Sequence, residues 1–163
     1  AKCRDARLVR PYIANYMIAI VNIGSNLGNR RLNLARAVGE LINRFGTDYR
    51  LSHIVETPAW GFESAHPFLN LCMLFPTDLS PEALLDELQA IEHGISPASH
   101  RNPDGSYADR QVIDTSRLRL PHPHLAERRF YLEPLAEIAP GYTHPVTGLT
   151  PLQMLSDLPA ADE

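Results

Sequence analysis

Cysteine is scarce in this chain. Cys3 and Cys72 are the only two among 163 residues, they lie far apart, and neither has a companion at metal-ligand spacing. That argues against a disulfide framework and a thiolate zinc site, and it fits a reducing compartment, so a cytoplasmic protein is expected. Long apolar runs are lacking too. Nothing approaches the ~20 residues a membrane helix needs. The opening AKCRDARLVRPYIANY has no apolar stretch of the signal-peptide kind, so residues 1–15 read as a polar N-terminal extension. Nor is there an excess of positive charge. Fifteen Lys and Arg against 19 Asp and Glu leave a net charge of −4, which removes any whole-molecule pull toward nucleic acid or an anionic membrane. The partners expected are small molecules, and the chain is expected to act as a monomer or weak dimer. No internal repeat and no low-complexity tract is present.

What the chain does have is enough apolar material for a core. A hydrophobic share of 44% over this length fits one domain, taken as residues 16–163. YMIAIVNIG (16–24) is a continuous apolar run closed by Gly, of a length suited to a buried strand. After it, Leu34, Val38, Leu41 and Phe45 recur at near-helical spacing, with Asn29 as N-cap and Gly46 as stop, which predicts a helix over 30–45. RLSHIVETPAW (50–60) predicts one strand ending near Thr57, because Pro58 cannot donate to a ladder. HPFLNLCMLFPT (66–77) predicts another. Its alternation puts Phe68, Asn70 and Cys72 on one face and Leu69, Leu71 and Met73 on the other. Ser80-Pro81 opens a second helix with Leu84, Leu88 and Ile91 in its stripe, and Gly94 is expected to end it. From Gly94 to Arg110 periodicity is lost, and Pro97, Pro103, Asp104-Gly105 and Ser106 predict a surface loop. LEPLAEIAP then reads as a short helical piece, and TPLQMLSDL as a last helix capped by Thr150. Strand, helix, strand, strand, helix is most of a split βαβ unit, so the expected class is α+β with a ferredoxin-like antiparallel sheet.

Three stretches invite chemistry. GSNLGNRR joins a strand to a helix, but it lacks the Gly-Lys-Ser/Thr of a phosphate loop and any G-x-G-x-x-G, so a tight turn with glycines for backbone freedom is the simpler reading. ETPAWGFESAHPFLN (56–70) sets aromatic rings beside an amide that both donates and accepts. That suits a flat heteroaromatic ligand, or else Trp60 and Phe68 are core and Asn70 caps a turn. SYADRQVIDTSRLRLPHPHLAERRF (106–130) concentrates Arg and His, either as a solvated face or as forks for phosphate. His122-x-His124 has no third ligand nearby and is a poor metal pair.

IGSNLGNR, TPAWG…PFLN, LQAIE and VIDTSRLRLPHPHLAERRFYLEPLAEIAP together resemble 6-hydroxymethyl-7,8-dihydropterin pyrophosphokinase, over residues 16–158. The resemblance implies a ferredoxin-like fold and an ATP-dependent diphosphokinase, a transferase that moves pyrophosphate from ATP, with Mg2+, onto a reduced pterin in folate biosynthesis and releases AMP. It implies that Thr57, Pro58 and Trp60 line the pterin pocket, that Phe68 and Phe130 sandwich the ring, and that Asn70 reads its edge. On the nucleotide side it implies Glu92, Arg110, Arg117, His122 and Arg128, with Arg110 and His122 catalytic. The family also continues from the position of Arg110 into an apolar strand with an Asp-x-Asp pair. Alternation sets those carboxylates ~6–7 Å apart on one face, as magnesium ligands. Here Gln111 follows Arg110 directly, so a strand with its turns, about eleven residues, is absent from this sequence. Ile95 likewise follows Gly94 where the family usually has Arg. The metal ligands are therefore unassigned, and two readings stay open. One is an active enzyme whose Asp-x-Asp strand this sequence does not represent. The other is a catalytically impaired pterin- and nucleotide-binding paralogue that lacks it.

Overall fold

A computed structural model describes residues 16–58, 66–95 and 124–159. In chain order these form β1 (Met17–Ser25), α1 (Arg30–Phe45), β2 (Arg50–Leu51), β3 (Val55–Thr57), β4 (Phe68–Thr77), α2 (Pro81–Ile95), a 3-10 turn (Leu125–Glu127), α3 (Arg129–Ile138) and α4 (Pro151–Asp157). β4 is the centre of an antiparallel sheet. It pairs β1 along one edge, and β2 and β3 along the other. The Arg110–Gln111 junction and the expected 94–110 loop beyond Ile95 lie outside the described residues.

The caps explain where the helices begin and end. Asn29 Oδ1 accepts from the Leu32 N–H at 3.1 Å. At the other end of α1, Gly46 takes φ 88°, which L side chains resist, and its N–H donates to the Ile42 carbonyl. Thr150 and Gln153 form a reciprocal capping box at the start of α4. α2 does not stop at Gly94 but runs through it to Ile95. A glycine costs a helix ~1 kcal/mol without ending it.

The strand expected over 50–60 is broken in two. Leu51 pairs with Met73 but Val55 pairs with Asn70, so residues 52–54 oppose only 71 and 72, and the edge carries a β-bulge. Ser52 holds the break together. Its N–H donates to the Cys72 carbonyl at 3.0 Å, and its Oγ accepts from the Cys72 N–H at 2.8 Å.

β4 is covered on both faces. Leu69, Leu71, Met73 and Phe75 pack with Ala19 of β1 against Leu34 and Leu41 of α1 and Ile91 of α2. Cys72 and Leu74 of the opposite face meet Leu132, Leu135 and Ile138 of α3 and Met154 of α4. A split βαβ unit sets its two helices, here α1 and α2, on one face; α3 and α4 build a second layer on the other, because the even-numbered side chains of β4 also need covering.

Candidate active site

Pairing places Gly24 of β1 and Val55 of β3 opposite Asn70 of β4, and Thr57 opposite Phe68. By the pleat these five residues share one face of the sheet, the face that α3 covers further along. Asn70 is only 2% exposed. A buried amide needs a partner, and Asn70 Nδ2 donates to Thr57 Oγ1 at 3.0 Å. This bond fixes which end of the amide faces which strand: Nδ2 faces β3, and Oδ1 faces Gly24. A Cβ built on Gly24 would lie 2.7 Å from that Oδ1 and 3.8 Å from Phe68 Cδ1. Asn70 therefore caps no turn. It sits in the sheet beside a phenyl ring.

α3 lies across this face and is held at its far end. Glu137 accepts from the His53 N–H at 3.0 Å, with His53 Nδ1 2.7 Å from its carboxylate, and Arg50 donates to the Ile138 carbonyl. Near its start, burial pushes the Tyr131 phenol up to about 12, with the nearby Cys72 adding to the rise and Arg128 and the Asn22 backbone opposing it. Burial likewise pushes the Cys72 thiol to about 12. Asn22, paired with Cys72, buries its Oδ1 with no hydrogen-bond partner among the described residues. Just before α3, the Arg128 guanidinium stands 5.7 Å from the Phe130 ring centroid, within cation–π range. Desolvation lowers the pKa of Arg128, against the pull of Glu127 and Tyr131, yet a guanidinium stays charged at neutral pH.

Among the residues expected at the site, Thr57, Phe68 and Asn70 are brought together on one sheet face, and Arg128 and Phe130 sit on the segment that covers that face. Pro58 is exposed directly after β3. Glu92 is exposed on α2, in the helix layer of the opposite face. Trp60, Arg110, Arg117 and His122 lie outside the described residues. A hollow of about 450 Å³ lined by Gly28, Asn29, Arg30, Arg31 and Leu69 opens at the start of α1, on the Leu69 side of the sheet and so away from Asn70. The sequence reading took Gly24, in the turn after β1, as a glycine for backbone freedom. Gly24 is not among the positive-φ glycines, and a side chain there would crowd Asn70 instead. The run of apolar residues around it carried no sign of which residue it would face.

Residues 20–140 match the family described as 7,8-dihydro-6-hydroxymethylpterin-pyrophosphokinase. The chain belongs to this family. It is 36% identical over 140 residues to the 2-amino-4-hydroxy-6-hydroxymethyldihydropteridine pyrophosphokinase of Porphyromonas gingivalis, covering 78% of this chain and 94% of that one. The proteins of the same name from Aquifex aeolicus and Bacillus subtilis are 34% and 36% identical over 134 and 129 residues. They cover 77% and 74% of this chain, and 82% and 77% of their own. The stretch that matches the pyrophosphokinase family contains Gly24, Thr57, Asn70, Arg128 and Phe130.

Proposed function

We infer that the protein transfers pyrophosphate from ATP to the hydroxymethyl group of 6-hydroxymethyl-7,8-dihydropterin, releasing AMP, as a step of folate biosynthesis. Family membership supports the reaction. The observation that carries the site is the buried Asn70 amide, held by Thr57 beside the Phe68 ring: an apolar plane next to a fixed donor-acceptor pair. In this reading Phe68 and Phe130 stack on the two faces of the pterin, Asn70 reads its edge, and Thr57, Pro58 and Trp60 complete the pocket. Arg128 touches Phe130, so a phosphate-binding cation stands next to the ring-binding aromatic. That adjacency is what an attack by the pterin hydroxyl on the β-phosphorus requires. Glu92, Arg110, Arg117 and His122 are assigned to the nucleotide, with Arg110 and His122 nearest the transferred group.

The chain's own residues bind, orient and supply positive charge; no covalent intermediate is needed. Mg2+ is the expected companion of ATP and would offset phosphate charge when bound. Among the described residues no group of three His, Cys, Asp or Glu is placed to hold a metal ion, and no step is assigned to it. Among those residues, too, no helix is long and apolar enough to cross a membrane. We propose a cytoplasmic, single-domain enzyme, monomeric or weakly dimeric, that acts on small molecules rather than on nucleic acid or membranes.

An assay for AMP in ATP and magnesium, run with and without the reduced pterin, tests the reading. AMP should form only with pterin present. Pterin binding without AMP would identify the non-catalytic paralogue instead, and absence of pterin binding would remove the site.

A further inference from the structure

We propose that Gly24 is a positioning residue for pterin recognition: the missing side chain at 24 leaves the space in which the Asn70 amide is held at its working angle. The inference rests on the pterin-site reading above and adds a residue that acts through another.

Gly24 stands apart from the other described glycines. A Cβ at Gly28, Gly39, Gly46, Gly94, Gly141 or Gly148 would meet nothing within 4 Å, whereas at Gly24 it would lie 2.7 Å from Asn70 Oδ1. Its backbone φ is not positive, so conformational freedom does not explain glycine here. A contact that short could be relieved cheaply if the amide were free to swing, but it is not. Asn70 is 2% exposed, and its Nδ2 is tied to Thr57. A methyl at 24 therefore has to turn the amide, which breaks the Thr57 bond or tilts both the donor and the acceptor. An amide offers two donor hydrogens and two acceptor lone pairs, and Thr57 takes one of the hydrogens. The angle of the others decides what edge a bound ring must present. Gly24 itself is exposed, so the surface beside the amide is open to a ligand.

A double-mutant cycle measures this directly. The wild type, Gly24→Ala, Asn70→Ala and the double variant are titrated with 6-hydroxymethyl-7,8-dihydropterin in the presence of a nonhydrolysable ATP analogue, and separately with the analogue alone. Gly24→Ala should weaken pterin binding by ~tenfold or more, while the double variant should bind no worse than Asn70→Ala, since the penalty acts through the amide. Affinity for the analogue alone should stay within about twofold, a split that general damage to the strand would not produce. Unchanged pterin affinity in Gly24→Ala overturns the proposal, as does a loss that persists in full without the Asn70 amide. Should Gly24→Ala alone fail to fold, recovery of folding in the double variant reveals the same contact, and failure of both overturns it. If the wild type itself does not bind pterin, the site reading has failed rather than the role of Gly24.

Discussion

On the side of the sheet covered by α1 and α2, β1 and β4 contribute Ala19, Leu69, Leu71, Met73 and Phe75, without a polar atom among their side chains except the Met73 thioether. On the side covered by α3 and α4, the same two strands contribute Asn22, Gly24, Phe68, Asn70 and Cys72. The pleat alone separates these sets. The first face spends its residues on packing, where each buried aliphatic or aromatic side chain stabilises by roughly 1.5–3 kcal/mol. The second accepts burial of an amide and a thiol that contribute less to stability. A strand thus divides its residues between holding the fold and building the site according to whether their numbers are odd or even.

The contrast breaks first at Phe75. It is fully buried and stacked on Phe45, with centroids 4.6 Å apart and planes at 27°. Phe75→Ala should cost about 3–5 kcal/mol of stability, read as a fall in the denaturant midpoint. Phe68, half-buried at the start of the same strand, should cost less on truncation while weakening pterin binding more. Equal stability losses for the two would show that the faces are not specialised.

Alkaline pH is the next probe, because two strongly shifted groups, Cys72 and Tyr131, meet on the side covered by α3. Burial raises the Cys72 thiol from 9.0 and the Tyr131 phenol from 10.0, each to about 12. Both protons are held more tightly in the folded state. The stability they contribute is therefore complete below pH ~9 and is lost as pH climbs toward 12, at up to about 1.4 kcal/mol per pH unit for each group. Denaturant midpoints measured between pH 8 and 11 should fall along that course. Tyr131→Phe should remove the part that begins near pH 10, and Cys72→Ala the part that begins near pH 9. A decline identical in both variants and the wild type would place the titration elsewhere.

How much of this the sequence could disclose depends on the range of the forces involved. α1 was legible to its ends at Arg30 and Phe45 because its caps, Asn29 and Gly46, act within a turn of the residues they stop. The alternation of β4 was legible for the same reason: the pleat is local. The bulge at Ser52 was not, since it depends on a serine hydroxyl standing in for a backbone group against Cys72, twenty residues away. The end of α2 was misjudged because glycine lowers helix propensity without forbidding a helical turn. At the site, Phe68 and Asn70 could be placed on one face from spacing, but the register that sets Asn70 against Gly24 belongs to pairing between distant strands. Glu92 was matched by motif, and only the packing of α2 shows that it stands in the opposite layer.

The smallest effect concerns the link between the two sides. Arg30, at the start of α1, donates through Nη1 to Glu56 Oε1 and to the Pro67 carbonyl, both at 2.7 Å. Glu56 precedes Thr57 and Pro67 precedes Phe68, so one guanidinium on the packing side ties both chain segments that carry the residues proposed to face the pterin. The pair is partly exposed, with Arg30 and Glu56 side chains at 29% and 54%, and solvent screening limits its value to stability to roughly 0.2–1 kcal/mol. Arg30→Lys keeps the charge but loses the planar fork. It should move the denaturant midpoint by no more than that amount, yet raise the pterin dissociation constant two- to threefold, about 0.4–0.7 kcal/mol. A midpoint shift with no change in pterin affinity would mean that Thr57 and Phe68 are held in place by the sheet alone, and that the two faces are independent.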